Sequence, residues 1–216
     1  NVIQNDTWMH VAVTLSSVVA GPGQATIYIN GQVRATNSIV APTNVSRRLC
    51  YLGKSTASWD PLFKGRMAEV RVWRVARTAS EINRYKDARL SGSENGLVAY
   101  YRLNESDGER AGDASRNRLH AWLRGTANWN QAAPLPTLRI DSGALGSLRF
   151  GGSQWVALPP LVPPVSQTVP SGFTLEAWVQ PSDVSKSGDF IAIGDGTADV
   201  LRLGHQQSAL VFGIQI

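Results

Sequence analysis

The feature that most constrains the fold is a period-two alternation of apolar residues in short segments throughout this 216-residue chain. In Thr7–Leu15 one strand face would carry four apolar side chains, those of Met9, Val11, Val13 and Leu15. Further strands are predicted at Gln24–Thr36 (as a hairpin), Leu49–Gly53, Arg66–Trp73, Leu97–Leu103, Ser147–Phe150, Trp155–Leu158, Phe173–Gln180, Phe190–Gly194, Val200–Leu203 and Ala209–Ile216. Because they are short and separated by turn residues, we expect a β-sandwich of two antiparallel sheets.

Two local signals refine this prediction. Asn30-Gly31 predicts a tight hairpin, because both residues tolerate a positive φ. A single short helix is predicted at about residues 79–89, where Thr78 can cap the first turn and Glu81 completes a capping box. The proline-rich stretches 132–137 and 158–170 are predicted to be a connector and an extended loop.

Composition excludes several classes of protein. Hydrophobic residues make up 43% of the chain, but no run is long enough to predict a membrane span. The net charge of +5 comes from scattered basic residues, whereas a nucleic-acid-binding protein usually shows a clustered basic stripe. The one cysteine, Cys50, lies in an apolar segment and is predicted to be a buried, unreactive thiol.

Candidate catalytic groups are sparse. A glycosidase needs paired carboxylates beside one groove, yet Glu69 and Glu176 each stand alone in their strands and are expected to point outward or pair with Arg71. The histidines, His10, His120 and His205, show no metal-ligand spacing. We therefore predict that the chain is not an enzyme.

Several motifs together resemble one known family. They are WMHVAVTL, GQATIYINGQ, LCYLGKS, FKGRMAEVRVWRVARTASEI, GLVAYYRLNESDG, LGSLRFGGSQWVALPP and FTLEAWVQP. This set resembles laminin-G-like domains of the concanavalin A-like lectin/glucanase superfamily. The resemblance implies an all-β jelly-roll sandwich, and it makes His10 a structural residue of the family's W-x-H motif.

The order of these motifs differs from that of the family. Residues 1–93 resemble the C-terminal half of a laminin-G-like domain, and residues 94–216 resemble its N-terminal half. Either both halves close into one sandwich domain over residues 1–216 in permuted order, or each half completes a neighbouring repeat. We expect closure within the chain, with the last strand beside the first.

The acidic loop after Gly96 predicts a metal site. Glu105, Asp107 and Asp113 offer the oxygen ligands that Ca²⁺ prefers, and the resemblance implies a structural calcium near this loop. The family commonly has an aspartate where this chain has Ala68, which weakens the prediction. The alternative is that Asp113 caps a turn through backbone hydrogen bonds. The segment 194–199 is a second acidic loop, more typical of a turn.

Seven tryptophans are many for this length, and those in strand motifs (Trp8, Trp73, Trp155 and Trp178) are expected in the core. Trp59 lies in a predicted loop and is the best candidate to contact a ligand, either a glycan or a protein; the alternative is that it covers the edge of the sandwich. The resemblance implies a non-catalytic adhesion module, extracellular or at the cell surface, and arginine-rich composition fits a bacterial source. The alternatives are a structural repeat that self-associates with its neighbours and an accessory domain of a larger enzyme.

Overall fold

The structure is a computed structural model that describes residues 3–16, 22–40, 47–126, 128–130, 146–161, 172–195 and 200–215. Within these residues the chain forms fifteen strands and one helix. The strands, in chain order, are β1 (Met9–Ser16), β2 (Gly23–Ile29), β3 (Gln32–Ile39), β4 (Leu49–Leu52), β5 (Lys64–Trp73), β6 (Leu97–Tyr101), β7 (Arg110–Ala111), β8 (Ala121–Arg124), β9 (Trp129–Asn130), β10 (Ser147–Gly151), β11 (Trp155–Leu158), β12 (Phe173–Pro181), β13 (Gly188–Gly194), β14 (Val200–Gln206) and β15 (Ala209–Gln215). The helix α1 (Ala79–Tyr85) follows β5.

All the strands pair antiparallel in two sheets, which confirms the predicted all-β jelly-roll sandwich. The first sheet has the order β3-β2-β1-β12-β5-β10-β9, and β6 pairs with the other end of β5. The second sheet has the order β15-β14-β13-β4-β11-β8-β7. In the described part of the chain, no helix is long and apolar enough to cross a membrane.

The hydrophobic core lies between the inner faces of the two sheets. The alternation predicted for β1 is confirmed, because Val11 and Val13 are fully buried in the core cluster. The facing sheet contributes Ile191 and Leu203 to the same cluster. Full burial of one such side chain stabilises the fold by about 1.5–3 kcal/mol relative to exposure.

Strands from residues 1–93 alternate in space with strands from residues 94–216. In the first sheet β12 lies between β1 and β5, and in the second sheet β4 lies between β13 and β11. Strands from both halves therefore build each sheet and the shared core. Whether the chain is a permuted form of the family's domain is not tested by this pairing, and the permuted order stays a prediction.

The expectation that the last strand lies beside the first is wrong. Both edges of β1 are occupied, one by β2 and the other by β12, so β15 has no free edge to join. Instead β15 pairs with β14 in the other sheet. The first described residues instead contact the turn between β14 and β15, because the backbone N–H of Ile3 donates to the carbonyl of Ser208 at 2.9 Å.

The predicted turn and helix cap are confirmed. Asn30 and Gly31 have φ values of 50° and 78° in the hairpin between β2 and β3. At the helix, Thr78 Oγ1 accepts from the Glu81 N–H at 3.2 Å, and Glu81 Oε2 accepts from the Thr78 N–H at 2.8 Å.

Other boundaries differ from the sequence prediction. Helix α1 ends at Tyr85, four residues early, because the carbonyls of Tyr85 and Ala88 turn toward the side chain of Arg71. The short strands β7, β8 and β9 were not predicted, since two to four residues hold too little alternation to detect. The stretch 132–137, most of 158–170 and most of 194–199 lie outside the described residues.

Candidate ligand-binding site

A cavity of about 350 Å³ opens on the outer face of the second sheet, where β14 and β15 meet the loop that follows β4. The loop contributes Trp59 and Asp60, and the strands contribute Arg202 and Gly213. Trp59 is 85% exposed, which is far more than any other tryptophan in the described chain. An indole held at the edge of a polar cavity offers a stacking surface beside hydrogen-bonding groups.

Two glycines leave room for charged side chains on the outer face of this sheet. Gly213 is the cross-strand partner of Arg202, and a Cβ at Gly213 would lie 3.3 Å from Nε of Arg202. Gly204 is the partner of Asp189, and a Cβ there would lie 2.6 Å from Oδ1 of Asp189. The missing side chains therefore let Arg202 and Asp189 lie across their neighbouring strands.

A β-bulge between β13 and β14 turns Asp189 toward the outer face. The pairing passes from Asp189↔Gly204 directly to Ile191↔Leu203, so Phe190 is the extra residue and packs into the core. As a result Asp189 lines a smaller cavity of about 140 Å³, which shares Asp60 and Arg202 with the cavity beside Trp59.

The guanidinium of Arg202 lies near two carboxylates at this site. Nη1 of Arg202 lies 3.6 Å from Oδ2 of Asp60 and 4.0 Å from Oδ2 of Asp189. Burial raises the pKa of Asp189 to about 6, Asp60 adds to the rise, and the attraction of Arg202 does not offset it. Oδ2 of Asp189 has no hydrogen-bond partner in the described part of the chain. The site thus combines a stacking surface with charged groups that the protein satisfies only in part.

A comparison with known families agrees with this architecture. Residues 1–83 match a laminin-G-type family model of the concanavalin A-like lectin/glucanases superfamily. This segment is laminin-G-like. The predicted resemblance is therefore confirmed, although the match does not test the permuted order. No curated protein and no solved structure matches the chain. Laminin-G-like domains are typically non-catalytic, and their superfamily indicates a binding module.

Outside the segment that matches the laminin-G-type model, Asp113 is surrounded by hydrogen-bond donors. Its Oδ1 accepts from the N–H groups of Tyr100 and Ser115, both at 2.8 Å. Its Oδ2 accepts from the Ser115 hydroxyl and the Leu119 N–H, both at 2.7 Å. Four donors already satisfy this buried carboxylate, and their positive ends would repel a cation.

The other two predicted calcium ligands, Glu105 and Asp107, differ from Asp113 in burial and in hydrogen bonding. Asp107 is exposed, whereas one oxygen of Glu105 accepts from the Gly112 N–H at 2.7 Å and the other has no partner in the described residues. Burial raises the pKa of Glu105, which favours its neutral form. No group of three or more potential metal ligands occurs among the described residues. These three residues therefore do not form a shared set of calcium ligands among the described residues. Calcium binding by the chain stays a prediction.

Glu176 and Glu69 lie in a sealed polar cluster on the outer face of the first sheet. Oε1 of Glu176 accepts from the Trp73 indole at 2.9 Å, and its Oε2 lies 3.2 Å from Nε2 of His10. Burial alone would raise the pKa of Glu176, but contacts with His10, Arg71 and Trp73 outweigh it and lower the pKa to about 2. The predicted pairing with arginine is confirmed, and both side chains point outward from the sheet as expected, although both are buried there.

The segment containing α1 closes this cluster. Arg71 is fully buried, donates to the carbonyls of Tyr85 and Ala88 at 2.9 and 2.6 Å, and lies 3.3 Å from Glu69. Tyr100 donates to Glu69, and burial raises its pKa to about 12. Because the helix and the turn after it cover these groups, they cannot reach a substrate, and they act to hold the helix on the sheet.

Two residues noted in the sequence also have structural roles. Ala68 is fully buried against Trp178, at the bulge where Glu69 adopts a φ of 53°. Cys50 is fully buried, as predicted, and burial raises the pKa of its thiol to about 11.

The remaining tryptophans divide into buried and surface groups. Trp73 and Trp178 are buried, as predicted, but Trp8 and Trp155 are only half-buried. Trp8 packs against Trp178 on the first sheet, and Trp155 lies on the outer face of the second. Trp122, on the same face, is 52% exposed. Sequence reasoning missed its importance because β8 was not predicted. The alternation of Ala121 and Leu123 with Trp122 was the signal that could have revealed it.

Proposed function

We propose that this chain is a non-catalytic carbohydrate-binding module, and that a sugar ring stacks on Trp59 at the entrance of the cavity on the second sheet. The exposure of Trp59 beside that cavity is the observation that carries the proposal. Sugar rings present an apolar face of C–H groups, so an exposed indole is a suitable platform for them. An extracellular or cell-surface location accords with this role.

The polar groups of the cavity complement a polyhydroxylated ligand. Asp60 offers carboxylate acceptors, Ser55 and Thr56 line the wall, and Arg202 offers donors. The side chains of Asp60 and Arg202 are about one-third exposed, so ligand hydroxyls can reach them. These groups would orient the ring that Trp59 holds.

The described carboxylates do not favour glycoside hydrolysis. A glycosidase places an acid and a nucleophile or base on either side of the scissile bond. Glu69 and Glu176 are sealed beneath the helix segment, and the cavity carboxylates of Asp60 and Asp189 both lie within 4.0 Å of the guanidinium of Arg202. We therefore expect binding without turnover.

The direct test is a glycan array, with and without Ca²⁺, followed by calorimetry on the glycans that bind. We expect Trp59→Ala to weaken binding by at least about tenfold, which corresponds to 1.4 kcal/mol, and Trp59→Phe to restore part of it. Val33→Ala is the matched control, because Val33 is 51% exposed on the far edge of the other sheet. Absence of binding on a broad array, or binding that Trp59→Ala leaves unchanged, would contradict the proposal.

A second candidate is a structural repeat that assembles with its neighbours. The edge strand β3 favours it, because nearly all of its eight residues are exposed and its outer edge could accept another strand. Against it, strands of residues 1–93 already pair with strands of residues 94–216 in the same chain. Light scattering over a range of concentrations separates the two candidates: a constant monomer mass contradicts assembly.

A further inference from the structure

Aromatic and basic side chains cover the outer face of the second sheet at the end that carries β7 and β8. We call this surface the aromatic–basic patch, and its members are Tyr51, Lys54, Arg110, Trp122, Arg124 and Trp155. The strand residues among them face outward, because their neighbours in sequence belong to the core: Leu52, Ala111, Leu123 and Val156. No member of the patch lines the cavity beside Trp59.

The strand register sets cations directly beside aromatic rings. Arg110 is the cross-strand partner of Trp122, and Arg124 is the partner of Trp155. Directly opposed side chains have Cβ atoms about 4.5–5.5 Å apart. Lys54 completes the pattern, with Nζ 4.9 Å from the ring centroid of Tyr51.

Two of the rings are too far apart to hold the same sugar. Trp122 and Tyr51 are both partners of Ala157, which lies on the strand between theirs. Two strand spacings separate their backbones by roughly 9.5 Å. Because Ala157 has only a methyl side chain, no bulky group fills the space between Trp122 and Tyr51. A ligand that stacks on both rings must therefore be a chain of at least two linked rings.

The positive charge of the patch favours a negatively charged polysaccharide. Arg110 and Arg124 are exposed, and neither has a carboxylate within ion-pair distance among the described residues, although Arg110 is near enough to Glu105 to favour its ionised form. The patch contains three cations and no carboxylate among its own members. Guanidinium groups bind carboxylates through two parallel hydrogen bonds, so acidic sugars fit these positions.

We propose that the aromatic–basic patch binds a linear acidic polysaccharide, whose rings stack on Trp122 and Tyr51 and whose carboxylates pair with Arg110 and Arg124. This site is separate from the cavity beside Trp59 and does not depend on it. A single-stranded nucleic acid also offers rings and anions, but it is usually bound in a basic groove that follows its backbone. Three cations on a flat strand surface fit a sparsely charged sugar chain better.

The test compares oligogalacturonates with the same oligomers after methyl esterification, which removes the charge and keeps the chain. Calorimetry on the full chain should show affinity that increases about tenfold or more from the disaccharide to the hexasaccharide. Esterification and added salt should each weaken binding, because the attraction between exposed charges is screened. Oligothymidylate of similar length serves as the competing polymer.

Three variants assign the effect to residues. Trp122→Ala should remove the increase in affinity with chain length. Arg124→Gln should reduce the difference in affinity between the acidic oligomers and their methyl esters. Val33→Ala is the matched control, since it truncates an exposed apolar side chain on the other sheet, away from both proposed sites, and should leave both effects unchanged. Equal affinity for acid and ester, no dependence on chain length, tighter binding of oligothymidylate, or an equal loss of binding in Val33→Ala and Trp122→Ala would overturn the proposal.

Discussion

The outer faces of the two sheets carry arginine–carboxylate groups of opposite character. On the first sheet, Arg71 is fully buried and donates to two backbone carbonyls, and the pKa of Glu176 falls to about 2. On the second sheet, Arg202 lies 3.6 and 4.0 Å from two carboxylates, and burial raises the pKa of Asp189 to about 6.

The difference shows how similar residues serve different roles. In the sealed cluster, donors from the protein surround the charges, so the ionised form is favoured and the groups stabilise the fold. In the open cavity the protein leaves Asp189 poorly compensated, so its ionised form is disfavoured. A ligand that supplies donors can improve that balance, whereas no ligand can reach Glu176.

The largest expected effect is on the sealed cluster. Glu176→Gln removes the charge that faces Arg71 and His10, and we expect it to lower the free energy of unfolding by about 3 kcal/mol, as for other broken buried ion pairs. Urea unfolding at neutral pH measures this loss. The matched control is Asp60→Asn, whose pair with Arg202 is part-exposed and should matter by less than about 1 kcal/mol. Equal effects in both variants would remove the distinction between the two faces.

Acid should abolish the contribution that ionised Glu176 makes to the free energy of unfolding. Its pKa is lowered from 4.5 to about 2 in the folded state, so its contribution is complete above pH 4.5 and disappears as the pH falls toward 2. Unfolding free energies of the native chain and Glu176→Gln should therefore converge over that interval. A difference that stays constant from pH 7 to pH 2 would show that the charge of Glu176 is not what stabilises the cluster.

A smaller effect is expected at the segment that covers the cluster. Thr78→Ala removes the side-chain cap of α1 and should cost about 1 kcal/mol of stability. Hydrogen exchange should then accelerate at the first turn of the helix and leave β13 and β14 unchanged. Thr78→Ser, which keeps the capping oxygen, should restore the native rates.

An effect of the opposite sign is expected in the open cavity. Because folding raises the pKa of Asp189 from 3.8 to about 6, its ionisation disfavours the folded state above pH 6, and this penalty vanishes below pH 4. Asp189→Asn should therefore increase the free energy of unfolding at neutral pH, by at most the roughly 3 kcal/mol that a rise from 3.8 to about 6 corresponds to, and leave it unchanged at pH 4. Destabilisation at neutral pH would mean that Arg202 compensates the carboxylate.

Much of the fold was predictable because it depends on local patterns. The alternation in β1, the turn at Asn30-Gly31 and the cap at Thr78 are each encoded within a few residues. The wrong placement of β15 came from a long-range choice, since nothing in the segment 209–216 reveals which edge it joins. The early end of α1 likewise depends on Arg71, which lies fourteen residues before Tyr85.

The candidate site was less predictable for the same reason. Trp59 could be singled out as a loop aromatic, but the cavity beside it requires Arg202 and Gly213 from strands far along the chain. The acidic residues around Asp113 gave a strong compositional signal for calcium. Composition could not show that four donors surround that carboxylate, because two of them come from backbone positions thirteen and six residues away.

The most direct measurement follows the indole N–H signals of the tryptophans by NMR during titration with a glycan that the array identifies. We predict that the Trp59 signal shifts with ligand concentration, whereas those of Trp73 and Trp178 stay fixed, because they donate within the protein to Glu176 and to the Lys86 carbonyl. Saturating shifts at Trp73 or Trp178 with none at Trp59 would contradict the assignment of the binding face.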